Sequence, residues 1–135
     1  MAGKNFNLDI VTPTKTVYSG EVQSFSAPGV EGGFQVLYNH APLLAAISVG
    51  RVKLTNAVGQ EFHYATSGGF VEVKNNNVIL LAETAERSDE IDVRRAEEAK
   101  QRAGERLQKR EEIDEERARA ALVRAMNRIK IAGVH

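Results

Sequence analysis

The sequence predicts a β-sandwich or flattened barrel followed by a pair of helices, and three observations predict this fold class. Up to about residue 84, short runs of alternating apolar and polar residues recur at spacings of roughly 8–12 positions, with turn-forming residues between them. From Ser88 onward the apolar residues recur every three or four positions instead. All eight aromatic residues and all three prolines lie in the first part, so the second part has no aromatic core of its own.

The strands are predicted from this alternation and from the turns that end them. Residues 6–11 alternate apolar and polar side chains and stop before Pro13. Residues 56–59 and 75–77 have the composition of tight turns that join neighbouring strands. Further strands are predicted at residues 16–18, 22–27, 34–37, 43–47, 51–54, 61–64, 70–73 and 78–82.

Two helices are predicted after this sheet. Ser88 or Asp89 can cap the first helix, which would place Glu90 and Asp92 in its first turn, where negative charge is favourable. Residues 108–113 can form the connection, and Asp114 can cap the second helix. Helices with so short a connection usually lie antiparallel.

The inner faces of both predicted helices are narrow and rich in alanine. They contain Asp92, Arg95, Ala96, Ala99 and Ala103 on the first helix, with Leu107 close by, and Ala118, Ala121, Leu122, Ala125 and Ile129 on the second. A buried methyl-sized group contributes only ~0.8 kcal/mol, so the attraction between the helices should be weak. Alanine also has high helix propensity. We therefore expect helices that can change neighbours and remain helices.

Composition and charge exclude several classes of function. Residues 1–84 carry five Lys/Arg and six Asp/Glu, and residues 85–135 carry thirteen and twelve, so neither part has the one-signed charge of a protein that binds nucleic acid or an anionic membrane. The absence of cysteine excludes disulfides and thiolate chemistry, and the three histidines lack metal-ligand spacing. Without a signal peptide or an apolar run of ~18 residues, we expect a soluble protein that does not insert into a membrane.

Six groups of residues, in a fixed order, carry a resemblance to a known family. They are Gly20-x-Val22, Pro28-Gly29-x-x-Gly32, Val36-Leu37-x-x-His40-Ala41-Pro42-Leu43-Leu44, Gly50, Ser67-Gly68-Gly69-Phe70-Val71-Glu72-Val73, and Leu81-Ala82-Glu83-Thr84-Ala85. Together they closely resemble the epsilon subunit of bacterial F-type ATP synthases. The resemblance covers essentially the whole chain.

The resemblance implies an N-terminal ten-stranded β-sandwich over residues 1–85 and a C-terminal antiparallel two-helix hairpin over residues 86–135. It implies a non-catalytic subunit of the central stalk that couples the catalytic head to the c-ring in proton-driven ATP synthesis. The implied partners are the gamma subunit and the c-ring, and also the alpha/beta catalytic head when the mobile hairpin extends and inhibits ATP hydrolysis. The lack of a transit peptide favours the cytoplasmic face of a bacterial plasma membrane, although a plastid-encoded member would also lack one.

The resemblance also implies which residues contact the c-ring. They lie in the Glu31 loop, which includes Gly33, and in the His40 turn, which includes Pro42. Some family members carry an acidic residue at the position of Gly33, and this chain departs from them there. A catalytic role for His40 is not supported, because no nucleophile–base or paired-carboxylate pattern accompanies it. The interpretation as a stand-alone enzyme therefore has no residue pattern behind it.

The segment Ile91-Asp92-x-x-Arg95-Ala96 resembles the ATP-binding signature of this family. Asp92 can accept hydrogen bonds from an adenine amino group or a ribose hydroxyl. Arg95 can contact a phosphate or the ribose, and Ala96 leaves room for a flat base. The implied ligand is ATP in a regulatory role, with or without Mg²⁺, since no glycine-rich segment is followed by the Lys-Ser/Thr of a phosphate-binding loop.

Four further residues complete the predicted nucleotide site. Arg102 extends the positive edge of the first helix, and Glu86 can accept from the base or the sugar. Arg124 and Arg128 stand four residues apart on the second helix, a spacing suited to gripping a triphosphate.

A purely structural interpretation of the same residues stays open. An aspartate followed three residues later by an arginine is an ordinary ion pair at the start of a helix. The same outline recurs at Asp114 and Arg117, where no nucleotide need be involved. A second functional hypothesis also stays open, in which the chain is mainly an ATP-sensing module with little inhibitory role.

Overall fold

The computed structural model describes residues 4–109 and 115–133, which contain nine strands, one short 3₁₀ turn at Ser88–Glu90 and two α-helices. The chain divides into two compact units, residues 1–87 and residues 88–135. The element bounds are β1 Phe6–Val11, β2 Thr16–Ala27, β3 Phe34–Val36, β4 Leu43–Ile47, β5 Gly50–Asn56, β6 Glu61–Thr66, β7 Gly69–Lys74, β8 Asn77–Ala82, β9 Ala85–Arg87, α1 Val93–Lys109 and α2 Glu115–Ala132.

All nine strands belong to one sheet in the order β4-β7-β8-β1-β2-β5-β6-β9, with β3 paired to β2. The β1–β8 pairing is parallel and the others are antiparallel. A bridge from Gly29 to Ile47 ties the chain after β2 to the edge strand β4, but the sheet does not close. The architecture confirms the predicted β-sandwich, although the described residues form nine strands and not ten.

The strand assignment differs from the one predicted by the alternation in two places. Residues 16–18 and 22–27, predicted as two strands, form the single 12-residue strand β2. Gly20 does not interrupt it, because Gly20 pairs with Leu8 within a continuous ladder to β1. The second half of β2 then pairs with β5 and β3. The alternation of apolar residues also failed to predict β9, which is only three residues long and pairs with β6.

The core of the sandwich unit lies between the folded-over halves of this sheet. Leu8, Phe25, Leu54, Val71 and Leu80, each from a different strand, have no exposed surface. On β1, β7 and β8 the alternate residues are exposed or half-buried, as the period-two pattern predicted. Burial of these large apolar side chains therefore holds the unit together and fixes the register of its strands.

The first helix begins later than the sequence suggested. The 3₁₀ turn occupies Ser88–Glu90, and α1 starts at Val93 with no acidic residue in its first turn. Asp92 is the N-cap, because its Oδ1 accepts the backbone N–H of Arg95 at 3.1 Å and its carbonyl accepts the N–H of Ala96 at 3.0 Å. The prediction that Ser88 or Asp89 caps the helix is wrong. The predicted cap Asp114 lies outside the described residues.

Four buried alanines, which we call the alanine seam, join α1 to α2. Ala96 and Ala103 are 0% and 3% exposed, and Ala118 and Ala125 are 1% and 2% exposed. Both pairs are seven residues apart, or two helical turns. Because only residues 110–114 separate the helices, α1 and α2 run antiparallel, which places Ala103 and Ala118 toward the connected end of the pair and Ala96 and Ala125 toward the other end. The predicted helix pair is confirmed.

Candidate functional site

The residues predicted to contact a c-ring lie on two loops of the sandwich unit. In the first loop, Gly32 donates its N–H to the carbonyl of Gly29 at 3.0 Å and has a positive φ of 131°. Val30 donates to the carbonyl of Ala46 in β4 at 3.0 Å. Backbone bonds therefore anchor this loop to the sheet and leave Glu31 exposed at its tip. Gly33 is also exposed.

The second loop is the turn at residues 37–42. His40 donates its backbone N–H to the carbonyl of Leu37 at 3.1 Å, and Asn39 takes a positive φ of 62°. The Nδ1 atom of His40 lies 2.6 Å from the carbonyl oxygen of Ala41. Since a carbonyl only accepts, Nδ1 carries the proton and Nε2 is the atom that can accept from a partner. Pro42 is exposed.

The structure does not join the two loops into one cluster. The Glu31 loop is anchored beside Ala46, near the end of β4, whereas the His40 turn leads into the start of that strand at Leu43. Most of the length of β4 separates these two anchoring points. The loops therefore offer two separate contact points to any partner.

Sequence reasoning missed two residues that organise the His40 turn. Asn39 and Asn76 bond to each other through both their side chains, across 37 positions of sequence. Both have a positive φ, which asparagine tolerates better than most residues. The asparagine run at residues 75–77 indicated a tight turn, but nothing in the spacing indicated which other loop it would bond.

Seven of the predicted nucleotide-binding residues lie in the helical unit, and Glu86 lies in β9 of the sandwich unit, opposite Ala65. Asp92 is exposed, and its cap bond to Arg95 uses Oδ1, which leaves Oδ2 for a ligand. Asp92 therefore has a structural role at the start of α1, as the alternative to nucleotide binding predicted. That role is a hydrogen bond to the backbone of Arg95 and not an ion pair with its side chain. Ile91 is 8% exposed, and Ala96 lies fully buried in the alanine seam.

Helical geometry places the predicted arginines on one face of the hairpin. Arg95 directly precedes the seam residue Ala96, and Arg124 directly precedes the seam residue Ala125, so each is turned about 100° from the seam in the same rotational sense. In an antiparallel pair, equal rotation from the seam puts both side chains on the same side. Arg102 and Arg128 are turned in this sense too, Arg128 being half-buried and the others exposed. This face can attract a polyanion.

Arg94 shows that the neighbouring positions differ. It lies on the outer side of α1, away from the seam, where its Nε is 3.4 Å from Oε1 of Glu98. An exposed pair of this kind contributes little to stability. Arg94 therefore provides a natural comparison for Arg95, with the same charge on the other side of the same helix.

One further ionisable cluster lies on strands β5 and β6. Lys53 Nζ is 3.0 Å from Glu61 Oε1, and this bond holds the pKa of the Glu61 carboxyl below its usual value. His63 is half-buried, with its Nδ1 atom out of contact with a hydrogen-bond partner in the described part of the chain. Burial, and then the charge of Arg51, lower the pKa of its imidazole. This face of β5 and β6 is therefore only partly exposed to solvent.

The described residues contain neither a metal-binding cluster nor a membrane-spanning helix. Residues 4–109 and 115–133 contain no group of three His, Asp or Glu side chains placed to hold a metal ion. Neither α1 nor α2, over its described residues, is long and apolar enough to cross a membrane.

Comparison with known proteins identifies the family. Residues 5–88 match the family model "ATP synthase, Delta/Epsilon chain, beta-sandwich domain", and residues 89–133 match "ATP synthase, Delta/Epsilon chain, long alpha-helix domain". An ATP synthase epsilon chain of Desulforamulus reducens is 52% identical over 130 residues, 96% of this chain and 98% of that protein. One from Syntrophomonas wolfei is 47% identical over 131 residues, 96% of each chain.

Two solved structures share the fold. A chain in the Euglena gracilis mitochondrial ATP synthase, a structure of "OSCP/F1/c-ring", superposes with a TM-score of 0.83 at 20% identity and covers 100% of this chain and 84% of its own. A chain in the Tetrahymena thermophila central stalk and c-ring gives 0.59 at 14% identity, covering 93% and 95%. The chain therefore belongs to the epsilon-chain family of bacterial ATP synthases, whose members are non-catalytic subunits of that complex.

Proposed function

We propose that the chain is a rotor subunit of the central stalk and couples the catalytic head to the c-ring in proton-driven ATP synthesis. In this role it binds the gamma subunit and the c-ring at the cytoplasmic face of a bacterial plasma membrane. Membership of the epsilon-chain family supports the role. The Glu31 loop with Gly33, and the His40 turn with Pro42, are the proposed c-ring contacts, supported by their backbone anchoring and exposure.

The proposed second role is to restrain ATP hydrolysis through a mobile helical hairpin that reaches the alpha/beta catalytic head. The observation that carries this role is the alanine seam. Four buried methyl groups at ~0.8 kcal/mol each contribute roughly 3 kcal/mol across the seam, and the helical unit also buries the larger side chains of Ile91 and Ile131. Each helix is built from residues with high helix propensity. Separating the two helices therefore loses the burial of the seam and leaves both helices formed.

Truncation tests the restraint. A chain ending at Arg87 keeps β9, which pairs with β6, and removes only the helical unit. We expect the ATP synthase carrying this truncated chain to assemble and to hydrolyse ATP faster than the complex with the full chain. Equal hydrolysis rates would remove the inhibitory role. Failure to assemble would show that the sandwich unit does not carry the coupling role alone.

We further propose that the folded hairpin binds ATP as a regulatory ligand. The arginine face built by Arg95, Arg102, Arg124 and Arg128 supports this, because guanidinium groups suit phosphate oxygens. Asp92 Oδ2 would accept from the base or ribose. The proposed site also includes Ile91 and Ala96. The methyl group of Ala96 is buried in the seam, so this residue contributes to the proposed site by being small: it leaves space for the base that a larger side chain would fill.

Titration calorimetry of the full chain with ATP, with and without Mg²⁺, tests the site. Arg95→Ala and Arg128→Ala should weaken binding, whereas Arg94→Ala, which removes the same charge from the other side of α1, should bind like the unsubstituted chain. Equal weakening by all three would indicate unspecific attraction. No heat at millimolar ATP would exclude the regulatory ligand and leave the stalk role intact.

The second candidate function is an ATP-sensing module with little inhibitory role. The observation that favours it is the same arginine face, which needs no contact with the catalytic head. Heat of ATP binding, together with unchanged hydrolysis after truncation at Arg87, would select this function over the first.

A further inference from the structure

We propose that Asn76 is a positioning residue for c-ring binding, because it bonds Asn39 and so holds the His40 turn in its docking conformation. The proposal deepens the proposed function and rests on it, since it assumes that this turn contacts the ring. Asn76 lies outside the turn, in the β7–β8 connection, and acts through Asn39.

The bonds between the two asparagines are reciprocal. The backbone N–H of Asn39 donates to Oδ1 of Asn76 at 2.7 Å, and Nδ2 of Asn76 donates to Oδ1 of Asn39 at 3.0 Å. Both bonds lie well within hydrogen-bond range. Together they form a closed ring between two residues whose φ values are 62° and 59°. Such a two-point link fixes orientation as well as distance.

Asn76 is itself fixed to the sheet. Its carbonyl accepts the backbone N–H of Asn7 at the start of β1, at 3.0 Å. The next residue, Asn77, accepts from the side chain of Asn7 at 3.2 Å and donates to the carbonyl of Asn75 at 3.0 Å. The β7–β8 connection is therefore bonded to β1, and the bonds between Asn39 and Asn76 attach the His40 turn to this fixed connection.

The His40 turn has few other ties to the sandwich. Its backbone bond from His40 to Leu37 and the Nδ1 contact with Ala41 are both internal to the turn. Outside the turn, Lys4 places its ammonium 5.5 Å from the centre of the Tyr38 ring, an exposed cation–π contact. Without the bonds between Asn39 and Asn76 the turn would move as a unit, and the entropy lost on ordering it would weaken binding.

The asparagine run supplies a matched pair of substitutions. Asn76→Gly removes the bonding side chain, and glycine accepts the positive φ without strain. Asn75→Gly makes the same change one residue earlier, at a φ of 51°, where the described residues give the side chain no bond to the turn. Any effect common to both variants therefore comes from introducing a glycine into this turn, and any difference between them comes from losing the bonds between Asn39 and Asn76.

Hydrogen exchange of the full chain tests the bond directly. The Asn39 amide should exchange about tenfold faster in Asn76→Gly, since it loses its acceptor, and at the original rate in Asn75→Gly. Asn39→Gly keeps this amide bond and loses only the other one, so it should have a smaller effect. The double variant should exchange no faster than Asn76→Gly alone. Equal rates in the two single variants at 75 and 76 would overturn the proposal.

Rebinding of the full chain to ATP synthase stripped of its epsilon subunit tests the consequence. Asn76→Gly should bind about five- to tenfold more weakly than the unsubstituted chain, and Asn75→Gly should bind equally. His40→Ala and Pro42→Ala test the underlying contact. If both bind normally, the proposed c-ring contact fails. If they bind weakly while Asn76→Gly binds normally, the contact stands and only the positioning role of Asn76 is overturned.

Discussion

Removing one methyl group from the alanine seam should weaken the hairpin by a small and calculable amount. Ala118 is 1% exposed and lies in the seam, whereas Ala120, two residues later on the same helix, is exposed. Glycine costs either position about 1 kcal/mol in helix propensity. Only Ala118→Gly also loses a buried methyl, worth ~0.8 kcal/mol. The expected losses are therefore about 2 kcal/mol for Ala118→Gly and about 1 kcal/mol for Ala120→Gly.

Urea unfolding of the full chain, followed by circular dichroism at a helix-sensitive wavelength, measures both losses. Equal losses would show that the seam contributes nothing. A loss at Ala118 of about 4 kcal/mol, the size of a leucine truncation in a tight core, would show a strong interface. The first result would contradict the claim that the seam joins the helices, and the second would contradict the argument that they separate at low cost.

Three further predictions concern single residues. Asp92→Ala should cost about 1 kcal/mol of helix stability by thermal unfolding, and Asp92→Asn, which still caps, should cost much less. Gly69→Ala should destabilise the sandwich by several kcal/mol in urea, because φ is 151° and a Cβ would collide with the Leu81 carbonyl, whereas Gly33→Ala meets nothing closer than 3.8 Å and should be neutral. Burial lowers the pKa of the His63 imidazole, so the unfolded chain takes up the proton first and the stability of the fold should decrease as pH drops below about 6.5. His63→Gln should flatten this pH dependence, and an unchanged slope would show that another group causes it.

The sandwich was predictable because period-two alternation and strand ends are local features of the sequence. The continuity of β2 was not predictable, since Ser19-Gly20 has the composition of a turn. Only the partner strand decides the outcome: β1 pairs with residues on both sides of Gly20 and keeps β2 continuous. The prediction of where α1 begins was wrong because several residues before it can act as N-cap, and the sequence does not show which of them does.

The candidate site was predictable in its residue types and only partly in its geometry. Helical periodicity places Arg95 and Arg124 relative to the buried alanines, so their common face follows from the sequence once the helices are known to be antiparallel. The bonds between Asn39 and Asn76 do not follow, because they join loops 37 residues apart. Contacts between distant turns depend on how the whole sheet folds over.

Locking the hairpin shut tests most directly whether it restrains hydrolysis by opening. The chain has no cysteine, so Ala103→Cys with Ala118→Cys introduces one thiol on each helix, at the two seam positions nearest the connection between the helices. ATP hydrolysis is then measured on one preparation of the assembled complex, oxidised and after reduction. We expect fast hydrolysis while the disulfide holds the helices together and slower hydrolysis once reduction frees them. The same rate in both states, with the disulfide verified by thiol titration, would contradict the account.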